Sequence, residues 1–513
     1  MTYLLRVNMS TQAVTTSELP PDYQRLGGRA LTSRICQDEV DPFCYALGER
    51  NKLVIAPGLL AAADFPYGGR IAMAGKSPLT QGLTASNAGG LTAARLGALG
   101  IQAIVVEGLP QDDKLYVLVI SEKEARLVPT PELRGKGTSE TTARLQEKYG
   151  TDSAVAAIGP AGEMLLTAAA ITNADLHGLA SRINGRGGLG AVMGAKRLKA
   201  IVIENASPPK AAADSGRFKA AVNEFEELLK GNSRKNAPLA ETALQQNCLP
   251  SGSAAVNGAQ AKLGAPVKPE TARAFRQYCE ITDWTAISEL NETANDLGLD
   301  TLETAAALAV LMQAEMIPWG DGKAALQMIK EVREGTSLGY ILGQGGSFAA
   351  EAFNVQLSED KVVSKAAASG SAARDKQFNV CIAAALQNEQ EFPGRRQGEL
   401  QDELGADMPL LTNHLLDTLG VCLYAAPAFT RQPTAWSTMA ELLNARYGWE
   451  QTAESLLALS RDALLKEREF DAAAGYLGES NRLGGYLPLS RQDHHTHSAV
   501  MWQQQSGSQP FIQ

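Results

Sequence analysis

The stretch Gly68-Gly-Arg-Ile-Ala-Met-Ala-Gly-Lys-Ser-Pro-Leu-Thr-Gln-Gly-Leu-Thr-Ala-Ser-Asn-Ala-Gly-Gly90 sets one guanidinium, one proline turn and one side-chain amide among closely spaced glycines. Glycine lets a backbone approach a ligand without a Cβ and adopt positive φ. Arg70 offers a planar fork of donors that suits phosphate, and Asn87 offers both a donor and an acceptor. This combination fits an anionic, many-ringed ligand lying against the main chain. A tight β-turn region with a surface arginine has the same composition, and the stretch alone does not separate the two.

A second glycine-rich loop, Gly185-Arg-Gly-Gly-Leu-Gly190, matches the G-x-G-x-x-G dinucleotide pattern, with Glu204 downstream. That fingerprint needs a hydrophobic strand just before it, and Leu179-Ala-Ser-Arg-Ile-Asn184 does not read as one. A loop for another phosphate-bearing ligand fits better. The helix-like Ala191–Lys199 would direct its positive end at that ligand, with Arg182 and Arg186 adding charge. Two later segments resemble each other: Asn295-Asp-Leu-Gly-Leu-Asp300 and Asp417-Thr-Leu-Gly-Val-Cys422. Each follows a helical pattern. Each reads either as a glycine C-cap or as a turn that aims a side-chain acceptor at the donor edge of a heterocycle.

The elements that must position these residues divide the chain. Up to about residue 205, short aliphatic runs (Lys52–Ala56, Ala103–Glu107, Leu115–Ile120, Ala154–Ile158, Lys199–Ile203) alternate with glycine-rich turns and predict a sheet-rich region. A Pro/Ala linker follows at Asn205–Asp214. Helical periodicity then takes over, at Phe218–Lys230, at Thr301–Met312 with Thr301 as N-cap, and in two helices from Trp436 to Phe470 broken at Tyr447-Gly448. The expected fold is α+β: a sheet-rich N-terminal domain over 1–205, a helical middle domain over 212–390, and a helical C-terminal domain over 391–513 with a mobile tail. The segment 354–408 fits no pattern. With 513 residues and a net charge of −9, the chain reads as a multi-domain globular protein whose main partner is not nucleic acid. No apolar run is long enough for a membrane span, and the start does not read as a signal peptide, so a cytoplasmic location is expected. The six cysteines include no C-x-x-C pair, which argues against a disulfide framework or a compact zinc site.

Taken in order, these segments resemble the aldehyde:ferredoxin oxidoreductase family, whose members hold tungsten or molybdenum between two pterins. The matching pieces are Gly27–Arg34 with Asp38–Val40, Asn51–Gly58, Gly69–Ala72 through Lys76–Thr80 and Ser86–Gly90, Ala157–Glu163, and Gly185–Gly194 with Leu198–Ile201. They cover nearly all of the first 205 residues. The later match is patchier and includes both paired turns and Glu441–Trp449. The resemblance implies a pterin-binding N-terminal domain. It gives Arg70, Asn87, Gly89, Arg182, Ile183, Gly185 and Gly187 to the pterin side, with Asn87 and Ile183 near a magnesium ion that bridges the pterin phosphates. One pterin would fall to Asn295, Gly298, Leu299 and Asp300, and the other to Asp417, Gly420 and Val421. It further implies an aldehyde substrate, an electron-transfer partner protein and a homodimer.

The chain departs from the family at its iron–sulfur site. The family's C-x-x-C-x-x-x-C is absent, and Cys422 matches only the fourth, distant ligand of the four-iron cluster. A buried apolar thiol is the competing reading of Cys422. Glu280 falls about where the family carries a catalytic glutamate, although a surface glutamate reads equally well. His414, one turn before Asp417, is read either as cleft-facing or as a solvated helix position. The His494-His-Thr-His497 group receives no role. Three functions remain: a tungsten- or molybdenum-pterin aldehyde oxidoreductase, a non-catalytic paralogue serving as assembly partner or cofactor carrier, and, well behind these, a nicotinamide-dependent dehydrogenase.

Overall fold

The computed structural model describes residues 2–205, 211–233, 267–355, 408–432 and 434–475. The first region builds two six-stranded mixed sheets. One holds β1 (Tyr3–Asn8), β2 (Ala13–Glu18), β3 (Leu53–Pro57), β4 (Ile71–Lys76), β5 (Leu83–Ala88) and β6 (Ile101–Glu107), in the order β2-β1-β6-β3-β4-β5. The other holds β7 (Tyr116–Ile120), β8 (Ala125–Pro129), β9 (Ala154–Ile158), β10 (Ile171–Ala174), β11 (Ala180–Asn184) and β12 (Leu198–Ile203), in the order β8-β7-β12-β9-β10-β11.

These two orders are the same topology repeated. In each sheet only one pair is parallel, β1 with β6 and β7 with β12, and every other pair is antiparallel. Side-chain alternation along each strand then makes two kinds of core. Leu53 and Ile55 share one cluster with Tyr116, Leu118, Ala156 and Ile158, so the sheets pack face to face. Val54 and Ala56 point the other way, onto Leu31 and Ile35 of the helix Gly28–Glu39. In the second sheet Val155 and Ala157 meet Leu145 of the helix Thr138–Tyr149. The aliphatic runs of the sequence fall on β3, β6, β7, β9 and β12, whose residues are buried nearly throughout. The solvent-facing edge strands β2 and β8 carry no such run.

The remainder is helical and forms two further cores, so the fold is α+β as expected. One core lies within residues 267–355 and meets the sheets at Ala161, Leu166 and Ala168. The other joins Phe218, Val222 and Phe225 to Leu410–Leu464, and meets the sheets at Leu59, Leu60 and Phe65. The expected middle domain, 212–390, therefore does not follow the packing. The helix Ser215–Ser233 turns Phe218 and Phe225 toward the Thr434–Tyr447 helix rather than toward residues 267–355. The two expected C-terminal helices are Thr434–Tyr447 and Ala453–Ala473, with Gly448 at φ 71° between them. Residues 356–407 and the histidine group at 494–497 lie outside the described residues. Among the described residues, no helix is long and apolar enough to cross a membrane.

Candidate cofactor site

The stretch Gly68–Gly90 is a hairpin in which β4 pairs with β5 around a tight turn at Ser77–Gly82. Its free edge, β5, meets the free edge of the second sheet, β11. Polar side chains close this seam. Asn184 Nδ2 donates to the Ser86 carbonyl at 2.8 Å, and Asn173 Nδ2 donates to Asn184 Oδ1 at 2.8 Å. Ala180–Asn184 is a strand, but not the hydrophobic strand that the dinucleotide fingerprint needs. It is a polar edge strand antiparallel to β10, so no dinucleotide-type β-α-β unit precedes Gly185.

Arg70, Asn87, Arg182 and Ile183 all lie along this seam. Arg70 Nη2 donates to the Asn87 carbonyl at 3.1 Å, and Arg70 Nε is buried with no acceptor. Arg182 is 6% exposed, and its Nε and one Nη also lack acceptors. Both polar atoms of the Asn87 amide are buried and unpaired, whereas its counterpart in the second sheet, Asn184, is fully engaged. Buried polar atoms left without partners are costly, so this set fits a bound group that supplies anionic acceptors. Gly69, at φ 99°, and Gly89 adjoin these residues and face open space. Arg186 and Lys268 join the same positive pole. Burial pushes the Lys268 ammonium down to about 8; Glu270 pulls it back, and the charges of Arg182, Arg70 and Arg186 lower it further.

The two paired turns dock at equivalent places. The helix Trp284–Leu297 ends at left-handed Gly298, φ 70°. The Gly298 carbonyl accepts from Ala170 N at 2.7 Å, and a Cβ on Gly298 would lie 2.6 Å from Gly159 N, just after β9. The helix Met408–Leu419 leads to Gly420, φ 74°, beside Gly58, just after β3. Arg70 N donates to the Gly420 carbonyl at 3.2 Å, and Leu60 N to the Leu419 carbonyl at 2.9 Å. Both glycines therefore satisfy the C-cap reading, and both also bring a helix end to the sheet ends that carry the seam.

Asp300, not Thr301, caps the next helix, Thr301–Gln313. Its Oδ1 accepts from Leu302 N and Glu303 N, and its Oδ2 accepts from Arg186 N. A carboxylate takes these donors more strongly than a threonine hydroxyl. Gly185 must lack a Cβ here, because one would sit 2.5 Å from Asp300 Oδ2. Gly187, at φ 80°, packs against Thr84 of β5. Leu299 and Val421 are 2% and 0% exposed within the two helical cores, so what they offer a ligand is backbone.

The second turn is fixed from below by a buried ionic group. Arg29 donates through Nε and Nη2 to Glu467 at 2.9 and 2.6 Å, and its Nη1 lies 3.7 Å from Asp417 Oδ2. Ser33 Oγ also donates to Glu467, at 2.6 Å. His414 is fully buried, with Nε2 3.9 Å from Glu467, so it is not a solvated helix position.

Glu280 is the carboxylate that the resemblance implies as catalytic. It is exposed, at the left-handed C-cap of the helix Pro269–Cys279. An 11-residue helix spans about 16 Å, and the other end of this one carries Lys268 and Glu270. Glu270 is a carboxylate whose charge acts on Lys268 at that end. Cys422 is 2% exposed and caps the short turn Leu423–Ala425. Among the described residues, no group of three or more His, Cys, Asp or Glu is placed to hold a metal ion, and Cys248 and Cys381 lie outside them.

Known proteins bear directly on this arrangement. The aldehyde ferredoxin oxidoreductase N-terminal domain matches residues 4–205, and domains 2 and 3 of the same family match residues 245–488. The chain belongs to the aldehyde ferredoxin oxidoreductase family. A tungsten-containing aldehyde ferredoxin oxidoreductase of Pyrococcus furiosus is 28% identical over 553 residues, covering 92% of this chain and 88% of that protein. A second relative, the WOR-like subunit of an aliphatic sulfonate oxidoreductase from the same organism, is 28% identical over 43% of this chain and 37% of its own length. Among solved structures, the active-site complex BamBC of benzoyl coenzyme A reductase, with 1,5 dienoyl-CoA, superposes with a TM-score of 0.72 at 18% identity, covering 92% of this chain and 89% of that one. That likeness establishes the fold. The family resemblance carried by the glycine-rich segments is therefore correct, and the chain is a shortened member without the clustered cysteines.

The sequence reading passed over Lys268, Asn184 and Glu303. Asn184 had a visible signal, because Asn87-Ala-Gly-Gly-Leu and Asn184-Gly-Arg-Gly-Gly-Leu mark the same place in the two repeated sheets.

Proposed function

We propose that this chain is an oxidoreductase that binds a tungsten- or molybdenum-bis-pterin at the β5–β11 seam, oxidises an aldehyde and passes electrons to a partner protein. The observation that carries this reading is the convergence of Arg70, Arg182, Arg186 and Lys268, with buried, unused N–H groups on Arg70 and Arg182. Arg70 and Arg182 would hold the pterin phosphates. Asn87 and the Ile183 backbone would lie near a magnesium between them, and each helix-end turn would receive one pterin. When bound, the metal–pterin group supplies two-electron redox chemistry. The balanced reaction is aldehyde plus water to carboxylic acid, two protons and two electrons. Glu270, whose charge acts on Lys268, is the carboxylate proposed to take a proton.

The cysteines do not supply four thiolates at cluster spacing, so no electron step is routed through an iron–sulfur cluster in this chain. That same departure favours the second reading, a non-catalytic paralogue that carries cofactor or assists assembly. Aldehyde-dependent reduction of a viologen dye by the purified protein separates the two readings. Turnover that is lost in Glu270→Gln supports the enzyme, whereas a pterin-loaded protein with no turnover on any aldehyde supports the carrier.

A further inference from the structure

The helix Trp284–Leu297 carries a second polar residue that the bis-pterin reading does not use. Asn291 and Asn295 are four residues apart, so their side chains lie on one face. They are 3% and 5% exposed. Asn291 Nδ2, a donor, is buried without an acceptor, and Asn295 Oδ1, an acceptor, is buried without a donor. The helix packs against β11, the strand that carries Arg182 and Ile183. Along this helix Leu290, Ala294 and Leu297 fill the apolar core, so the two amides form a separate polar stripe beside it. The spacing recurs at the other turn, where Asn413 stands four residues before Asp417 as Asn291 does before Asn295. Asn413 is 2% exposed.

A bare donor next to a bare acceptor is the complement of a lactam edge, in which a ring carbonyl adjoins a ring N–H. We propose that Asn291 is a further ligand-contacting residue. It pairs with Asn295 to read the pyrimidinone edge of the pterin held by the Asn295–Asp300 turn, donating from Nδ2 to the ring carbonyl while Asn295 Oδ1 accepts from the ring N–H. The inference rests on the bis-pterin reading. It adds a recognition element one helical turn away from the glycine turn, and it accounts for two buried amide atoms, Asn291 Nδ2 and Asn295 Oδ1, that the protein itself leaves unsatisfied.

The test uses the full-length protein with Asn291→Leu and Asn291→Ala. Released-pterin fluorescence, metal content by mass spectrometry and the Tm of the cofactor-free protein are measured for each. Replacing an unsatisfied buried amide with an apolar group of like size does not cost stability. The cofactor-free Tm of Asn291→Leu is therefore expected to equal or exceed that of the unmodified protein, while pterin content falls about tenfold, the loss of one good hydrogen bond to a bound ligand. Wild-type pterin content in either folded variant overturns the proposal. So does a lowered cofactor-free Tm in both variants with pterin content falling only in step, which is the mark of a purely structural asparagine. An unmodified protein without pterin instead overturns the bis-pterin reading itself, and this inference with it.

Discussion

At the scale of single residues, the site is defined by polar atoms that the fold buries and does not use. A guanidinium beside glycines suggests phosphate already in the sequence, but the buried, unused N–H groups of Arg70 and Arg182 show only in the fold. Glu280 reads from sequence as lying at a helix start, whereas it is the exposed C-cap of the helix Pro269–Cys279, because sequence distance cannot tell the first turn of a helix from its C-cap. Glu303 was invisible, since one glutamate in an alanine-rich helix looks like surface. It is 1% exposed, with Oε2 accepting from Gly346 N at 3.1 Å and Oε1 unpaired. Burial first, and the Asp300 charge second, raise its carboxyl from 4.5 to about 8. In the folded protein it thus holds a proton that the unfolded chain releases near 4.5. Its contribution to stability is complete below about 4.5 and is lost as pH rises to about 8. Urea unfolding across that window should show stability falling with pH, and Glu303→Gln should flatten the slope. An unchanged slope in the variant would remove Glu303 as its source.

At the scale of elements, the two helix-end turns do the positioning. Their glycines were legible as C-caps. Their docking was not, because it depends on Gly58 and Gly159, at the ends of β3 and β9, which are far from these turns in sequence. Gly298 combines φ 70° with a neighbouring backbone at 2.6 Å, so Gly298→Ala meets both strain and a clash. The expected cost is about 2 kcal/mol or more, read as a lower urea midpoint and reduced pterin retention. Gly335, also a left-handed C-cap at φ 66° but facing open space, is the control. Gly335→Ala should cost only about 1 kcal/mol and leave pterin content unchanged. The apolar strands were legible because burial on both faces leaves continuous aliphatic runs. The edge strands β5 and β11, which form the seam, were not, since their polar residues serve the seam rather than the core.

At the scale of the whole molecule, the first 205 residues are one topology used twice, and each copy receives one helical turn at the glycine after its third strand. Under the bis-pterin proposal, that duplication would match the two like halves of the ligand. The halves are not chemically equal, because only the second turn rests on the Arg29–Glu467–Asp417 group, which ties the Gly28–Glu39 helix to the Ala453–Ala473 helix. Arg29 is fully buried. Arg29→Met would strand two buried carboxylates and is expected to cost about 3–5 kcal/mol, seen by thermal unfolding. Removing Arg29 and replacing Glu467 with Gln together should recover part of that loss. Burial raises the Glu467 carboxyl, but Arg29 outweighs it and holds the group at about 2. Its stabilisation is therefore present above about 4.5 and lost as pH falls toward 2.

The central claim is that the β5–β11 seam holds the cofactor, and the direct test is pterin and metal content per chain in the unmodified protein and in the Arg70→Ala/Arg182→Ala double variant. The unmodified protein should carry paired pterins with tungsten or molybdenum, and the folded double variant should carry less than about a tenth of that, since each guanidinium gives charge-assisted bonds of about 1.5–3 kcal/mol. Equal content in the two proteins, or no pterin in either, would contradict the account.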